Sequence, residues 1–345
     1  MKNKINILDL TLNELQAEFE EKELPDFRAK QIWQWLYEKG AQTFNDMTNL
    51  SKDLRNYLDG RFTISHLKLE KRHVSADGTE KFLFRLTDDN FIESVLIPSG
   101  RRLTECISTQ VGCKFGCAFC ASGKGGFIRN LTAGEITGQV LYAAYRLGMK
   151  PTNIVFMGMG EPLDNYENVE TAIHIMNSPT GLNIGARKIT ISTCGIIPAM
   201  KRLEKIGIQI ELSISLHAPD DELRSKLMPV DRKYPISKLI PACREYSKKT
   251  KRLVTFEYLM LSGINDSIKQ AEELASLLRG FMSKVNLITM NPVGEGIYEP
   301  SNSHRVKEFC ETLIKHGVPA TIRKSRGADI LAACGQLRLC EIKLS

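Results

Sequence analysis

No stretch of this sequence approaches the apolar length of a membrane span, and the opening segment MKNKINILDLTLNELQAEFEEK carries charge throughout, without the apolar centre of a signal peptide. A membrane-embedded or exported protein is therefore not expected. There is no internal repeat and no low-complexity tract. Gly158 and Gly160 are not followed by the third glycine of a dinucleotide fingerprint. The nine cysteines are odd in number and partly clustered, which fits cofactor and redox chemistry in a reducing cytoplasm better than a disulfide framework. What is present is ordinary for a globular chain: 345 residues, 42% hydrophobic and 25% charged, enough for one large domain and a small one. A net charge of +7 mildly favours a polyanionic partner. Basic clusters recur at Arg101-Arg102, Lys248-Lys249 with Lys251-Arg252, and Arg323-Lys324 with Arg326. Each alone is most simply a solvated face.

Periodicity divides the chain. Residues 8 to about 60 read as helices, with a cap signal at Thr11, helical spacing of Ile32, Trp35 and Leu36, and Gly40 as terminator. Trp33, Trp35 and Tyr37 could stack on bases, but such residues are more often core. From Ile64 to Pro98 short alternating runs, KFLFRL and FIESVLIP, predict strands. Beyond residue 99 strands and helices alternate, with strands expected at 105–109, 153–159, 188–193, 210–217, 253–261, 285–291 and 320–324. Such βα repetition predicts an α/β fold, a parallel sheet curved into a partial barrel of about six units, with the active site at the carboxyl ends of the strands. The residues there are small or polar: Gly160-Glu161, Ser192-Thr193, Ser215, His217 and Asn291. The expected division is a helix-and-strand accessory domain over 1–98 and a catalytic domain over 99–345.

The segment Cys113-Lys-Phe-Gly-Cys117-Ala-Phe-Cys120 holds three thiols on one short loop. Three thiolates can grip three corners of a cubane iron-sulfur cluster, leaving the fourth iron open to the amino and carboxylate groups of S-adenosylmethionine (SAM). The spacing resembles that of radical-SAM enzymes. The competing reading is a structural zinc site with Cys106 as fourth ligand, although no second Cys-x2-Cys knuckle is present. A lone cysteine is usually a small buried hydrophobe, the reading that suits Cys194, Cys243, Cys310 and Cys340.

Seven blocks in order, ESVLIP, CISTQVGCKFGCAFC, MGMGEPL, ISTCGIIP, SISLHAP, NPVGEG and CGQL, are similar to the RlmN family of radical-SAM adenine C2 methyltransferases acting on 23S rRNA and tRNA. The likeness runs over nearly the whole chain and includes a helical RNA-binding module at the N-terminus. It implies a radical-SAM partial (βα)6-type barrel with a small N-terminal α+β accessory domain. It also implies one [4Fe-4S] cluster on Cys113, Cys117 and Cys120, and SAM as both methyl donor and source of a 5'-deoxyadenosyl radical. By the same resemblance Cys334 is the methyl carrier, Cys106 resolves the product by forming a disulfide with it, and Glu93 is the base that takes the C2 proton. SAM contacts are implied at Gly160, Glu161, Ser192, Ser215, Leu216, His217 and Asn291. The targets implied are adenine in the peptidyl-transferase centre of 23S rRNA and the adenine 3' of the tRNA anticodon. An electron-donating reductase such as flavodoxin and a monomeric, cytoplasmic enzyme are further expectations. Before CGQL the family usually carries acids where this chain has Ala328 and Leu331, while Asp329 is kept. Two alternatives remain beside this reading: a C8-adenine rRNA methyltransferase conferring antibiotic resistance, which shares the cluster and both cysteines, and a zinc-stabilised RNA-binding protein without catalysis.

Overall fold

The structure is a computed structural model and describes residues 4–291, 298–333 and 336–337. Cys334 and Cys340 lie outside the described residues.

Strand β1 (Ile5–Asn6) leads into helices α1 (Leu12–Glu20), α2 (Asp26–Tyr37) and α3 (Lys52–Arg61), then β2 (Phe62–Thr63), which pairs parallel with β1. The Thr11 signal works as a capping box: its hydroxyl accepts from the Glu14 N–H at 3.3 Å, and its own N–H donates to the Glu14 carboxylate at 2.6 Å. Helix α2 turns Ile32, Trp33, Leu36 and Tyr37 into the core. Trp35 sits at the edge, with the Lys39 ammonium 3.9 Å from its ring centroid and its indole N–H donated to Asn49.

Strands β3 (Lys68–Val74), β4 (Glu80–Arg85), β5 (Phe91–Ser99) and β6 (Arg102–Cys106) form an antiparallel run. After β6 come the short hairpin β7 (Gln110–Gly112) and β8 (Phe127–Asn130), which encloses helix α4 (Ala121–Lys124). Six βα units can then be traced: β6 with α5 (Ala133–Leu141), β9 (Asn153–Phe156) with α6 (Tyr166–Asn177), β10 (Ile189–Thr193) with α7 (Ile197–Leu203), β11 (Glu211–Ser215) with α8 (Asp221–Leu227) and α9 (Ile236–Thr250), β12 (Val254–Met260) with α10 (Ile268–Leu278), and β13 (Ser283–Thr289) with α11 (Ser303–Lys315). A last strand, β14 (Ala320–Arg323), closes the series. All are parallel from β6 to β14, and the ten-stranded order is β14-β13-β12-β11-β10-β9-β6-β5-β4-β3.

The strands grouped by sequence with the N-terminal helices thus hydrogen-bond directly onto the barrel sheet, and the backbone is continuous strand and turn across residue 98. Central strands are covered on both faces, and every residue of β12 is buried. The edge strand β3, Lys-Leu-Glu-Lys-Arg-His-Val, is charged and largely exposed, which discourages pairing with another chain. Among the described residues no helix is long and apolar enough to cross a membrane.

Candidate active site

The carboxyl ends of the parallel strands open into a cavity of about 170 Å³. Its walls carry Cys113, Cys117 and Cys120 from the loop after β7, Gly160 and Glu161 after β9, Ser192 of β10, Ser215 and His217 at the end of β11, and Asn291 after β13. Every expected cofactor residue but one is there. Leu216 is wholly buried in the main core; its N–H donates to the Glu257 carbonyl and its own carbonyl accepts from Arg224.

The cysteine loop is shaped by its own backbone: the Cys113 N–H donates to the Gly126 carbonyl at 2.7 Å and the Cys120 N–H to that of Cys117 at 3.1 Å. Burial pushes the Cys113 thiol up to about 12, with Cys120, Glu161 and Asp164 adding to it. Burial, then Cys120 and Cys113, also raises Cys117. Thiols so placed ionise readily only when a cation replaces the proton, and bound iron does that. Among the described residues no three His, Cys, Asp or Glu side chains converge as ligands of one metal ion. Cys106, the fourth ligand of a zinc reading, lines a different cavity. Three thiols on one loop beside a cavity suit a cluster with one iron left open, and Cys106, on the wall of the other cavity, does not join them as a fourth ligand.

Glu161 is buried, and burial raises its carboxyl above the usual range. Its two oxygens accept from the N–H groups of Leu163 at 3.0 Å and Cys194 at 2.8 Å, so it braces two loops and retains lone pairs toward the cavity. Gly160 has φ of +100°, and a Cβ there would fall 2.6 Å from Cβ of Gln110. His217 also takes a left-handed backbone, φ +61°. Its Nδ1 accepts from the Leu259 N–H at 3.0 Å, which leaves the proton of the neutral ring on Nε2. Burial, then the charge of Arg224, lowers it to about 3. Phe119 of the cysteine loop stands edge-on to this ring at 4.8 Å.

A second cavity of about 330 Å³ shares Met157, Ile288, Asn291 and Arg323 with the first. It is lined by Cys106 and, on the described residues flanking Cys334, by Ala332, Ala333 and Leu337. Arg102, Lys324 and Arg326 give it a basic edge. The Leu337 carbonyl accepts from the Ser122 hydroxyl at 2.7 Å, beside the cysteine loop. Val95 of β5 pairs with Cys106, so Glu93, two residues along the same face, points to the same side of the sheet. Glu93 is 3% exposed and pairs with Lys81 at 3.3 Å.

Three polar residues of this region escape sequence reasoning. Arg224 is fully buried and donates to the carbonyls of Cys194, Ser215, Leu216 and Tyr234 and to Asp231. With Glu161 it holds the peptide of Cys194 from both sides, so that cysteine belongs to the cavity wall and is more than core filling. Glu257 lines the cofactor cavity with one oxygen on Asn286. Lys81 is the third. Arg224, in a polar-looking stretch, carries no sequence mark of burial, whereas Glu257 and Lys81 lie in apolar strand runs that bury them with their neighbours.

A sheet of this order, with a three-cysteine loop after its first parallel strand, defines a radical-SAM enzyme, and residues 107–277 match the Radical SAM superfamily model. Residues 5–64 match the ribosomal RNA large subunit methyltransferase N-terminal domain. The chain is 48% identical to a probable dual-specificity RNA methyltransferase RlmN of Clostridium novyi, over 96% of this chain and 97% of that one. It is 49% identical to the one of Alkaliphilus oremlandii, over 97% and 98%. A crystal structure of a radical SAM methyltransferase from Sphaerobacter thermophilus superposes with a TM-score of 0.92 at 47% identity, covering 97% of this chain and 99% of that one. The chain belongs to the RlmN family of radical-SAM RNA methyltransferases, whose cofactors are a [4Fe-4S] cluster and SAM.

Proposed function

We propose that this enzyme methylates C2 of adenine in the peptidyl-transferase centre of 23S rRNA and in tRNA, 3' of the anticodon. The observation that carries this reading is the pair of cavities with a common wall, one holding the cysteine loop, the other holding Cys106 and the flanks of Cys334 under a basic edge. When bound, the cluster and two SAM molecules would supply, in turn, the methyl group and a 5'-deoxyadenosyl radical able to take one hydrogen atom from that methyl once it is on sulfur. Cys113, Cys117 and Cys120 hold the cluster, while Gly160, Glu161, Ser192, Ser215, His217 and Asn291 receive SAM, and Leu216, anchored in the core, fixes the backbone between Ser215 and His217. Adenine C2 is electron-poor and does not attack a methyl group by simple displacement, whereas a thiolate does. Cys334 therefore carries the methyl group to the base. Cys106 then bonds to the Cys334 sulfur as the bond from that sulfur to the transferred carbon breaks. The electron pair stays on that carbon, which takes up a proton to become the product methyl, and Glu93 accepts the proton that leaves C2. The two electrons of the disulfide are accounted for by reduction of the second SAM to methionine and 5'-deoxyadenosine.

Arg102, Arg323, Lys324 and Arg326 suit the phosphates around a base turned into the second cavity. Residues 1–98 assist RNA binding and lend Glu93 to the chemistry that 99–345 otherwise perform. The protein works as a cytoplasmic monomer, reduced by a flavodoxin-like donor. Anaerobic incubation with labelled SAM, a reductant and unmodified 23S rRNA or tRNA, followed by nucleoside mass spectrometry, tests the reading. Methyl at adenine C2 in both RNAs is expected; methyl at C8, or intact SAM beside an intact cluster, overturns it.

A further inference from the structure

The segment that leads to Cys334 is held by the turn between β3 and β4. Asp329 accepts from the Ser75 hydroxyl at 2.6 Å and from the Ala76 N–H at 3.3 Å. In return Asp77 accepts from the Gly327 N–H at 3.2 Å and faces Arg326 at 3.8 Å. Gly327 has φ of +61°, and a Cβ there would meet Thr79 at 2.8 Å, so turn and segment are in close contact. The segment is itself a compact turn, with the Gly327 carbonyl accepting from Ala332 at 2.8 Å.

One residue further into β4, past Glu80, is Lys81. It is 6% exposed on a face that packs toward Cys106, and its ammonium makes two contacts from that position. It lies 3.3 Å from the Glu93 carboxylate and donates to the Leu331 carbonyl at 3.5 Å. A buried lysine is expensive to keep, and a buried ion pair is a poor way to stabilise a strand that a leucine or methionine would serve. What an ammonium adds is geometry: several donors on one atom, reaching both the Glu93 carboxylate and the Leu331 carbonyl.

We propose that Lys81 is a positioning residue for product release, setting the distance between the Glu93 carboxylate and the segment that carries Cys334. Lys81 is not among the residues lining either cavity. It acts through Glu93, holding the carboxylate in one rotamer, and through Leu331, fixing how far the Cys334 segment stands from it. The inference rests on the reading of Glu93 as base and Cys334 as carrier. It also gives Asp329 a task, since the Ser75 and Ala76 contacts fix the far end of the same segment.

Two experiments test it on the full-length holoenzyme. In anaerobic single turnovers with 23S rRNA, the covalent protein–RNA species is followed on denaturing gels for wild type, Lys81→Met, Lys81→Arg and Glu93→Gln. Lys81→Met is expected to slow breakdown of that species about tenfold while SAM affinity stays within about twofold, with Lys81→Arg recovering most of the rate. Equal breakdown in Lys81→Met and wild type overturns the proposal, as does a parallel loss of SAM affinity or no recovery with arginine. The second experiment needs no turnover and no change at Lys81. Amide exchange of Ile330, Leu331 and Ala332 is compared between wild type and Glu93→Gln without RNA. If Lys81 ties Glu93 to the segment, removing the carboxylate charge loosens the tie and exchange quickens severalfold; unchanged exchange overturns the proposal even where Lys81→Met fails to fold. A Glu93→Gln enzyme that resolves the covalent species at the wild-type rate refutes the base itself, whereas a slow Glu93→Gln beside a normal Lys81→Met refutes only the lysine.

Discussion

Replacing Arg224 by methionine should cost the fold several kcal/mol. The guanidinium makes five hydrogen bonds from a fully buried position, four to carbonyls and one, at 2.7 Å, to Asp231. Methionine fills much of the volume and replaces none of the donors. Stranding one partner of a buried ion pair costs about 3–5 kcal/mol, and each orphaned carbonyl adds about 1 kcal/mol unless water reaches it. Asp231 can escape part of this by taking up a proton, since burial already raises its carboxyl. A net loss of about 4–6 kcal/mol is expected, a large share of the ~5–15 kcal/mol that holds a typical domain together. Urea unfolding followed by circular dichroism should show the midpoint falling by more than about 1 M. The deficit should grow between pH 5 and pH 8, because an unpaired Asp231 stays neutral at increasing cost as the pH rises. SAM should bind about tenfold more weakly, since the peptides of Cys194, Ser215 and Leu216 lose their common anchor. A loss below about 1 kcal/mol, or one that ignores pH, would refute the account of Arg224 as the knot of these loops.

Gly160→Ala sets a Cβ against Gln110 at a left-handed backbone, so stability should drop by about 1–3 kcal/mol and SAM binding with it, measured by unfolding and titration calorimetry. His217 is lowered to about 3 in the fold, so its contribution is present above the unfolded value of 6.5 and is lost as pH falls through it. Wild type should lose about 2 kcal/mol from this group by pH 5, a slope that His217→Asn, suited to the left-handed backbone, removes. Glu105 behaves oppositely: burial raises it from 4.5 to about 8, so the fold keeps a proton that the unfolded chain releases, and stability falls as pH rises between those values. Comparing wild type with Glu105→Gln in urea, the difference should change by roughly 3 kcal/mol between pH 5 and pH 7. Alanine at Cys113, Cys117 or Cys120 should abolish stoichiometric iron binding on anaerobic reconstitution, and a variant that retains full iron would remove that cysteine from the ligand set.

Central strands of the parallel sheet announce themselves. The runs at 153–159, 253–261 and 285–291 are apolar and β-branched, and each contains an observed strand, Asn153–Phe156, Val254–Met260 and Ser283–Thr289. Lys68–Val74 escaped because an edge strand with charges on both faces has no alternation to read. The hairpin at Gln110–Gly112 and Phe127–Asn130 is too short for a period and is interrupted by the cysteine loop. Position relative to strand ends was enough to place Gly160, Glu161, Ser192, Ser215, His217 and Asn291 on one cavity wall, because a barrel presents its carboxyl ends to one side, while Thr193, named by the same rule, is buried off that wall. Leu216 is absent from the cavity wall for the matching reason: between Ser215 and His217 its side chain turns into the core. Trp33 and Tyr37 were legible as core, and Trp35, placed by spacing with Ile32 and Leu36, is half-buried against the edge of that core beneath Lys39. Arg224 became visible only in three dimensions, since nothing local separates its buried charge from a solvated one.

The wall common to the two cavities has a thermodynamic consequence. Met157, Ile288, Asn291 and Arg323 each present a surface to both sides, and Arg323 reaches across to the Met157 sulfur at 3.5 Å. On the proposed function, an occupant of either cavity would restrict these four side chains, and the second occupant would meet a wall already ordered. Linkage then requires the two occupants to alter one another's affinity by the same factor, and the ratio of SAM affinities with and without RNA must equal the ratio of RNA affinities with and without SAM.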